Sequence, residues 1–188
     1  MSEGHRHFPV SLLLLIGLSG AAFLLFANTL PNGLTLDDEA IIGHNPLVRS
    51  LTPLSRYWDS GWWAGQHGYG DQLYRPLTML TFGLQYALHG TAPFGYHLVN
   101  LLLYALCLPP VYRLLRRLTG CETGALWGSL VFALHAVHSE AVANVVGRAE
   151  LLAFLFGVTL LWIHARDYRL LPGGRAVGLP LALACFFH

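Results

Sequence analysis

The sequence contains no lysine; all eleven of its basic residues are arginine. Schiff-base chemistry and a phosphate-loop lysine are therefore excluded. Charge of either sign is scarce, at 11% of 188 residues, where a soluble domain carries about 25%. A formal net charge of +1 leaves no basic face for nucleic acid. Cysteine is thin as well. Cys107, Cys121 and Cys185 are widely spaced, with neither zinc spacing nor a paired framework, and read as core or lipid-facing thiols. What is abundant is apolar surface: 54% of residues are hydrophobic and the mean hydropathy is +0.50. The expected solvent for most of the chain is lipid.

The apolar runs divide the chain. After a short N-terminal segment, 1–7, the first run covers 8–30 without a charge, long enough for the roughly 30 Å hydrocarbon core. It exceeds a signal-peptide core and no small-x-small cleavage site follows it, so it reads as a retained anchor. Pro31-Asn32-Gly33 ends it. Residues 31–93 form a polar, aromatic loop. Thr52-Pro53 reads as an N-cap with proline at the first helical position, predicting an amphipathic helix over about 52–63. A second is predicted over 76–89, too short to span comfortably. Tyr57, Trp58, Trp62, Trp63, Tyr69 and Tyr74 fit an interfacial aromatic belt. Further spans are predicted over 94–115, 124–138 and 149–165, joined by segments 116–123 and 139–148. A last segment, 166–175, leads into a fifth run over 176–188 that the chain end interrupts, which suggests a fragment or a chain continuing into more spans. The fold class is an all-α multi-pass membrane bundle with a large first extracytoplasmic loop.

The arginines orient it. Arg6, Arg113 to Arg117, and Arg166 to Arg175 fall on one side if there are four crossings, and the positive-inside rule makes that side cytoplasmic. The 31–93 loop, with five acids against three arginines, and the turn near His138 to Arg148 then face the other way.

Polar residues that carry chemistry collect on that second side. Asp37, Asp38 and Glu39 are adjacent, and such a cluster can accept a proton, bind a sugar hydroxyl, hold a metal or simply form a solvated turn. His135 and His138 sit three apart, so on a helix they share a face. Imidazole and carboxylate suit a divalent metal, but the spacing is not the zincin pattern; an interfacial hydrogen-bonding role is the alternative. Arg148 and Arg75 suit bidentate phosphate binding. The alternatives are ion pairs, Arg148 with Glu150 or Glu140 and Arg75 with Asp71. His97 and Asn100 lie one turn apart, where they can hydrogen-bond across helices.

Three strings, YRPLTMLTFGLQYALHG (74–90), PFGYHLVNLLLYAL (93–106) and ALHAVHSEAVANVVGRAELLA (133–153), together with the acidic LDDEAIIGHNPLV, occur in order. This pattern resembles the N-terminal membrane half of the transmembrane and tetratricopeptide-repeat O-mannosyltransferase family, similar to the type-C glycosyltransferases. The resemblance implies a multi-spanning enzyme that moves a sugar from a polyprenyl-phosphate donor to a protein or glycan acceptor, mannose to protein in eukaryotic members. It implies a catalytic acid just after the first span, the motif occupied here by Asp37 and Asp38. Glu39, Arg75, His97, His135, His138, Glu140 and Arg148 become candidate substrate-binding residues, with no assigned metal site although a divalent ion is conceivable. No 34-residue repeat appears, so activity is expected of a longer chain. Two rival readings are a non-catalytic membrane scaffold and a transporter; the latter predicts acids inside the spans, whereas these cluster outside them.

Overall fold

The computed structural model describes residues 10–65 and 73–167. Segment 1–7, Tyr69, Asp71, Cys185, the fifth apolar run and most of 166–175 lie outside the described residues. Among the described residues there is no strand. Helix α1 covers Val10–Phe26, α4 Pro76–His89, α5 Pro93–Thr119, α6 Glu122–Leu134 and α8 Arg148–Asp167. Shorter helices intervene: α2 Pro46–Arg49, α3 Arg56–Asp59 and α7 Ser139–Ala143. Three described segments are helical, long and apolar enough to cross a membrane, Leu12–Thr29, Pro93–Thr119 and Val145–Ala165. The protein is an all-α membrane protein.

Helix α5 is the mast of the bundle. Pro93 occupies its first turn, where the missing N–H costs nothing. Gly120 closes it in the left-handed conformation at φ 65°, its N–H donated to Arg116 O. At 27 residues it extends about 40 Å, so both ends reach past a hydrocarbon core. Around it pack α1, α6 and α8. Because α1 is apolar all round, hydrophobicity does not choose its packed face. Leu15, Leu18, Ala22 and Phe26, spaced three or four apart, turn inward, and the Ser19 hydroxyl donates to Ala105 O at 3.0 Å. Helix α6 buries Ala125, Ser129 and Ala133, a small residue each turn, which permits close helix approach. Its N-cap is the Cys121 sulfur, which accepts from Gly124 N. At 13 residues it rises only about 20 Å, shorter than the span predicted over 124–138.

A second core organises the 31–93 loop. Ile41, Ile42, Leu47, Val48, Tyr57, Trp62, Met79, Phe82 and Tyr96 form one buried cluster with Val145. Asn45 stitches it: Oδ1 caps α2 by accepting from Leu47 N at 2.9 Å, and Nδ2 donates to Trp62 O at 2.8 Å. The Tyr57 hydroxyl donates to Leu47 O at 2.9 Å. The site of that hydroxyl lies against Gly83 of α4, where a Cβ would collide with it.

The helix predicted over 52–63 is a correction. Only Arg56–Asp59 is helical. Trp62 is drawn into the core, its N–H donated to Leu73 O and its carbonyl held by Asn45, and these tertiary bonds replace the helical ones. The aromatic belt divides for the same reason. Trp58 and Tyr74 are exposed, whereas Tyr57 and Trp62 are core residues.

Candidate functional site

The three adjacent acids separate in space. Leu36, just before them, has φ 46°, a left-handed backbone unusual for a residue with a Cβ. A π-helical turn, Glu39–His44, follows. Within this tight geometry Asp37 and Glu39 are exposed and Asp38 is buried, with 1% exposure. Asp38 Oδ1 accepts the Val146 N–H at 2.8 Å, tying the loop after α1 to the turn that starts α8. Its Oδ2 is buried without a partner. Burial raises the Asp38 carboxyl above the usual carboxylate range, while the amides of Val146, Val145 and Thr35 and the His97 imidazole pull it back.

Asp37 opens into a cleft of about 460 Å³ whose lining includes Trp62, Trp63, Arg75, Glu140, Asn144 and Glu150. Arg75 Nη2 pairs with Glu150 Oε1 at 3.0 Å, and its guanidinium lies 5.2 Å from the Trp62 ring centroid. Arg75 is thus partnered by Glu150; Asp71, the partner weighed from sequence, lies outside the described residues. Both side chains of the pair retain solvent contact, 31% and 52%, so it contributes under about 1 kcal/mol to stability. A second groove, about 440 Å³, continues from the same two residues between α4 and α8. Its other walls are Pro76, Leu77, Thr78, Ala149, Leu152, Ala153 and Phe156, nearly all apolar.

Arg148 does not reach this cleft. Fully buried, it donates from Nε to Asn100 Oδ1 at 2.9 Å, from Nη1 to Thr81 Oγ1 at 3.3 Å and from Nη2 to Tyr96 O at 3.1 Å. Its guanidinium carbon lies 4.5 Å from the Phe82 ring centroid. Neither Glu140 nor Glu150 is within ion-pairing distance of it among the described residues, which corrects both ion pairs weighed from sequence. Its neutral partners hold α4, α5 and α8 together. Asn100 completes the knot, donating Nδ2 to Asn144 O at 2.8 Å and to Val145 O at 3.1 Å. His97 beside it on α5 is buried, and neither ring nitrogen has a hydrogen-bond partner.

His135 and His138 also stand apart from the cleft lining, although Val137 between them contributes to it. Helix α6 ends at Leu134, and His135 caps the following 3-10 turn by accepting Val137 N at its Nδ1. The two rings are 6.4 Å apart between centroids, and His138 packs on Phe132 at 4.3 Å. Among the described residues no three His, Cys, Asp or Glu side chains are grouped to hold a metal. Glu39, though adjacent to the acids, is not among the residues lining the cleft.

Sequence reasoning passed over Trp62, Trp63 and Leu73 as site residues and weighed Glu150 only as an ion-pair partner. The adjacent tryptophans were the available signal, since aromatic faces often stack on sugars and on cations.

A helical membrane bundle, capped by a folded loop that opens an acidic cleft at the head of an apolar groove, defines the class. The chain belongs to the transmembrane and tetratricopeptide-repeat family of O-mannosyltransferases. It is 35% identical over 171 residues to Protein O-mannosyl-transferase F38B6.6 of Caenorhabditis elegans, covering 88% of this chain and 24% of the relative. It is 40% identical to Protein O-mannosyl-transferase Tmtc2 of Drosophila melanogaster, covering 70% and 14% respectively. Identity to Protein O-mannosyl-transferase TMTC3 of Homo sapiens is 32%, covering 89% and 18%. The chain therefore spans a quarter or less of the length of these relatives. No protein-family profile and no solved structure matches it.

Proposed function

We propose that this chain is the donor-side part of a membrane glycosyltransferase that moves a sugar, mannose being the first candidate, from a polyprenyl phosphate to a protein hydroxyl. The reaction belongs on the extracytoplasmic side, with the N-terminus in the cytoplasm: the arginines share one side when the short helix α6 completes four crossings with α1, α5 and α8. One observation carries the reading: the polar cleft holding Asp37 meets the apolar α4–α8 groove at Arg75 and Glu150. A substrate with a sugar head, an anionic linker and a hydrocarbon tail matches that sequence of environments.

In the proposed step the acceptor oxygen attacks the anomeric carbon, and its proton passes to the Asp37 carboxylate. The anomeric carbon–oxygen bond to phosphate breaks, and the phosphate leaves with the bonding electrons. Asp37 suits the base better than Asp38 because it is exposed in the cleft, whereas Asp38 is enclosed and committed to Val146 N. Trp63, partly exposed at the cleft wall, supplies the apolar face against which a hexose ring stacks, and the buried Trp62 backs Arg75.

The test is transfer from a radiolabelled polyprenyl-phosphate sugar in membranes carrying the complete gene product. Asp37→Asn is expected to lower transfer by about 10²–10⁴-fold, the usual worth of a general base, while Glu39→Gln retains activity. Equal activity of wild type and Asp37→Asn would remove Asp37 as the base. Absence of transfer from every donor would put the non-catalytic scaffold first.

A further inference from the structure

Of the described residues lining the two clefts, Arg75 is the one cation, and it stands at their shared edge. The polar cleft also presents the carboxylates of Asp37, Glu140 and Glu150. An anion placed deep in that cleft would face three acids. At the groove side of the boundary the charged groups reduce to Arg75 and Glu150. The Trp62 ring that backs the guanidinium is itself buried at 2% exposure, so the guanidinium rests on a fixed wall. The nearby buried arginine, Arg148, already uses its guanidinium on Asn100, Thr81 and Tyr96.

We propose that Arg75 is the phosphate-binding cation for a lipid phosphate lying in the α4–α8 groove, and that Glu150 occupies this cation as an internal surrogate until the phosphate displaces it. The inference rests on the transferase reading and deepens it. A guanidinium presents a planar fork that fits carboxylate and phosphate oxygens alike, so one anion exchanges for the other with little rearrangement. The pair is half open to solvent and contributes little by itself, which makes the exchange accessible. Glu150 sits in the first turn of α8, Arg75 at the N-cap of α4, and exchange shifts the tie between these helices onto the ligand. Donor affinity is then set by competition: the lipid phosphate binds against a resident carboxylate, and the empty site keeps its arginine paired.

The test is equilibrium binding to the protein in nanodiscs, read by tryptophan fluorescence, with undecaprenyl phosphate, uncharged polyprenol and inorganic phosphate as separate probes. Removing the competitor with Glu150→Gln is expected to tighten undecaprenyl phosphate by about threefold, the worth of a half-exposed pair. Arg75→Gln is expected to weaken it by about tenfold, and in that background Glu150→Gln should have no effect. Arg75→Lys, which keeps the charge and loses the fork, should fall between. Polyprenol should respond to neither substitution. Helical circular dichroism confirms that each variant is folded. The proposal is overturned if Glu150→Gln weakens or leaves unchanged the binding of undecaprenyl phosphate, or if its effect persists without Arg75. Inorganic phosphate binding as tightly as the lipid phosphate would overturn the groove's part in it. Coupled binding without sugar transfer would leave this inference standing and sink the transferase reading; transfer without coupling would do the reverse.

Discussion

Asp38→Asn should make the fold at least as stable as wild type at neutral pH, and Asp38→Ala should weaken it. The carboxylate is 1% exposed and has no ion-pair partner among the described residues, so its charged form bears a desolvation cost that the neutral amide avoids. Asparagine keeps an oxygen for the Val146 N–H, now at 2.8 Å from Oδ1. Alanine leaves that buried N–H without an acceptor, a loss of about 1–3 kcal/mol. The sign with pH follows from the raised Asp38 carboxyl. A folded-state value above the unfolded one means that the folded chain binds the proton more tightly. Its contribution is then fully present below the unfolded value, near about pH 4, and is lost as pH rises through the folded value. Each pH unit separating the two values is worth about 1.4 kcal/mol. Wild type should therefore lose stability from acid toward neutral pH by an amount that Asp38→Asn does not lose. Chemical denaturation of both proteins in nanodiscs across pH 4 to 8, followed by tryptophan fluorescence, measures it. An Asp38→Asn protein that is less stable than wild type at pH 7, or that shows the same slope, would refute the reasoning and restore Asp38 as a working carboxylate.

Two further substitutions probe the scaffold beneath the cleft. Gly147→Ala would press a methyl group onto the backbone of Ala141, where no side chain can move aside, and should cost about 1–3 kcal/mol, read as a lowered denaturation midpoint. Arg148→Lys keeps the charge but cannot span Asn100, Thr81 and Tyr96 together. It should cost about 1–3 kcal/mol for the acceptors left unpaired, read in the same assay, and should leave the Glu150→Gln effect on undecaprenyl phosphate unchanged because Arg148 does not line the cleft.

The long helices were legible because their causes are local. Uninterrupted apolar runs specify α1, α5 and α8 in lipid, and Gly90 and Gly120 mark helix ends by positive φ, which glycine alone adopts without strain. Proline at the first turn of α4 and α5 marked their starts in the same way. The acidic triplet, the paired tryptophans and the candidate arginines Arg75 and Arg148 were visible as residues, yet their roles were not. Adjacent acids are chemically alike in a string. A left-handed Leu36 and a π-helical turn send one inward and leave its neighbours outside.

Sequence alone therefore determined the solvent of this protein, its helical class and its family, since each depends on composition and on order along the chain. Tertiary structure decided which groups share a space. Arg75 and Glu150, 75 positions apart in the chain, meet because α4 and α8 pack together at that end of the bundle. Arg148, two positions from Glu150, turns the opposite way into neutral acceptors. Trp62 leaves its predicted helix because Asn45 and Leu73 take its backbone bonds. Burial and pairing are properties of positions in space, and a helix turns successive side chains about 100° apart. Residues next to each other in sequence thus reach different dielectric surroundings, and only the packed fold says which carboxylate stays in water and which arginine keeps contact with solvent.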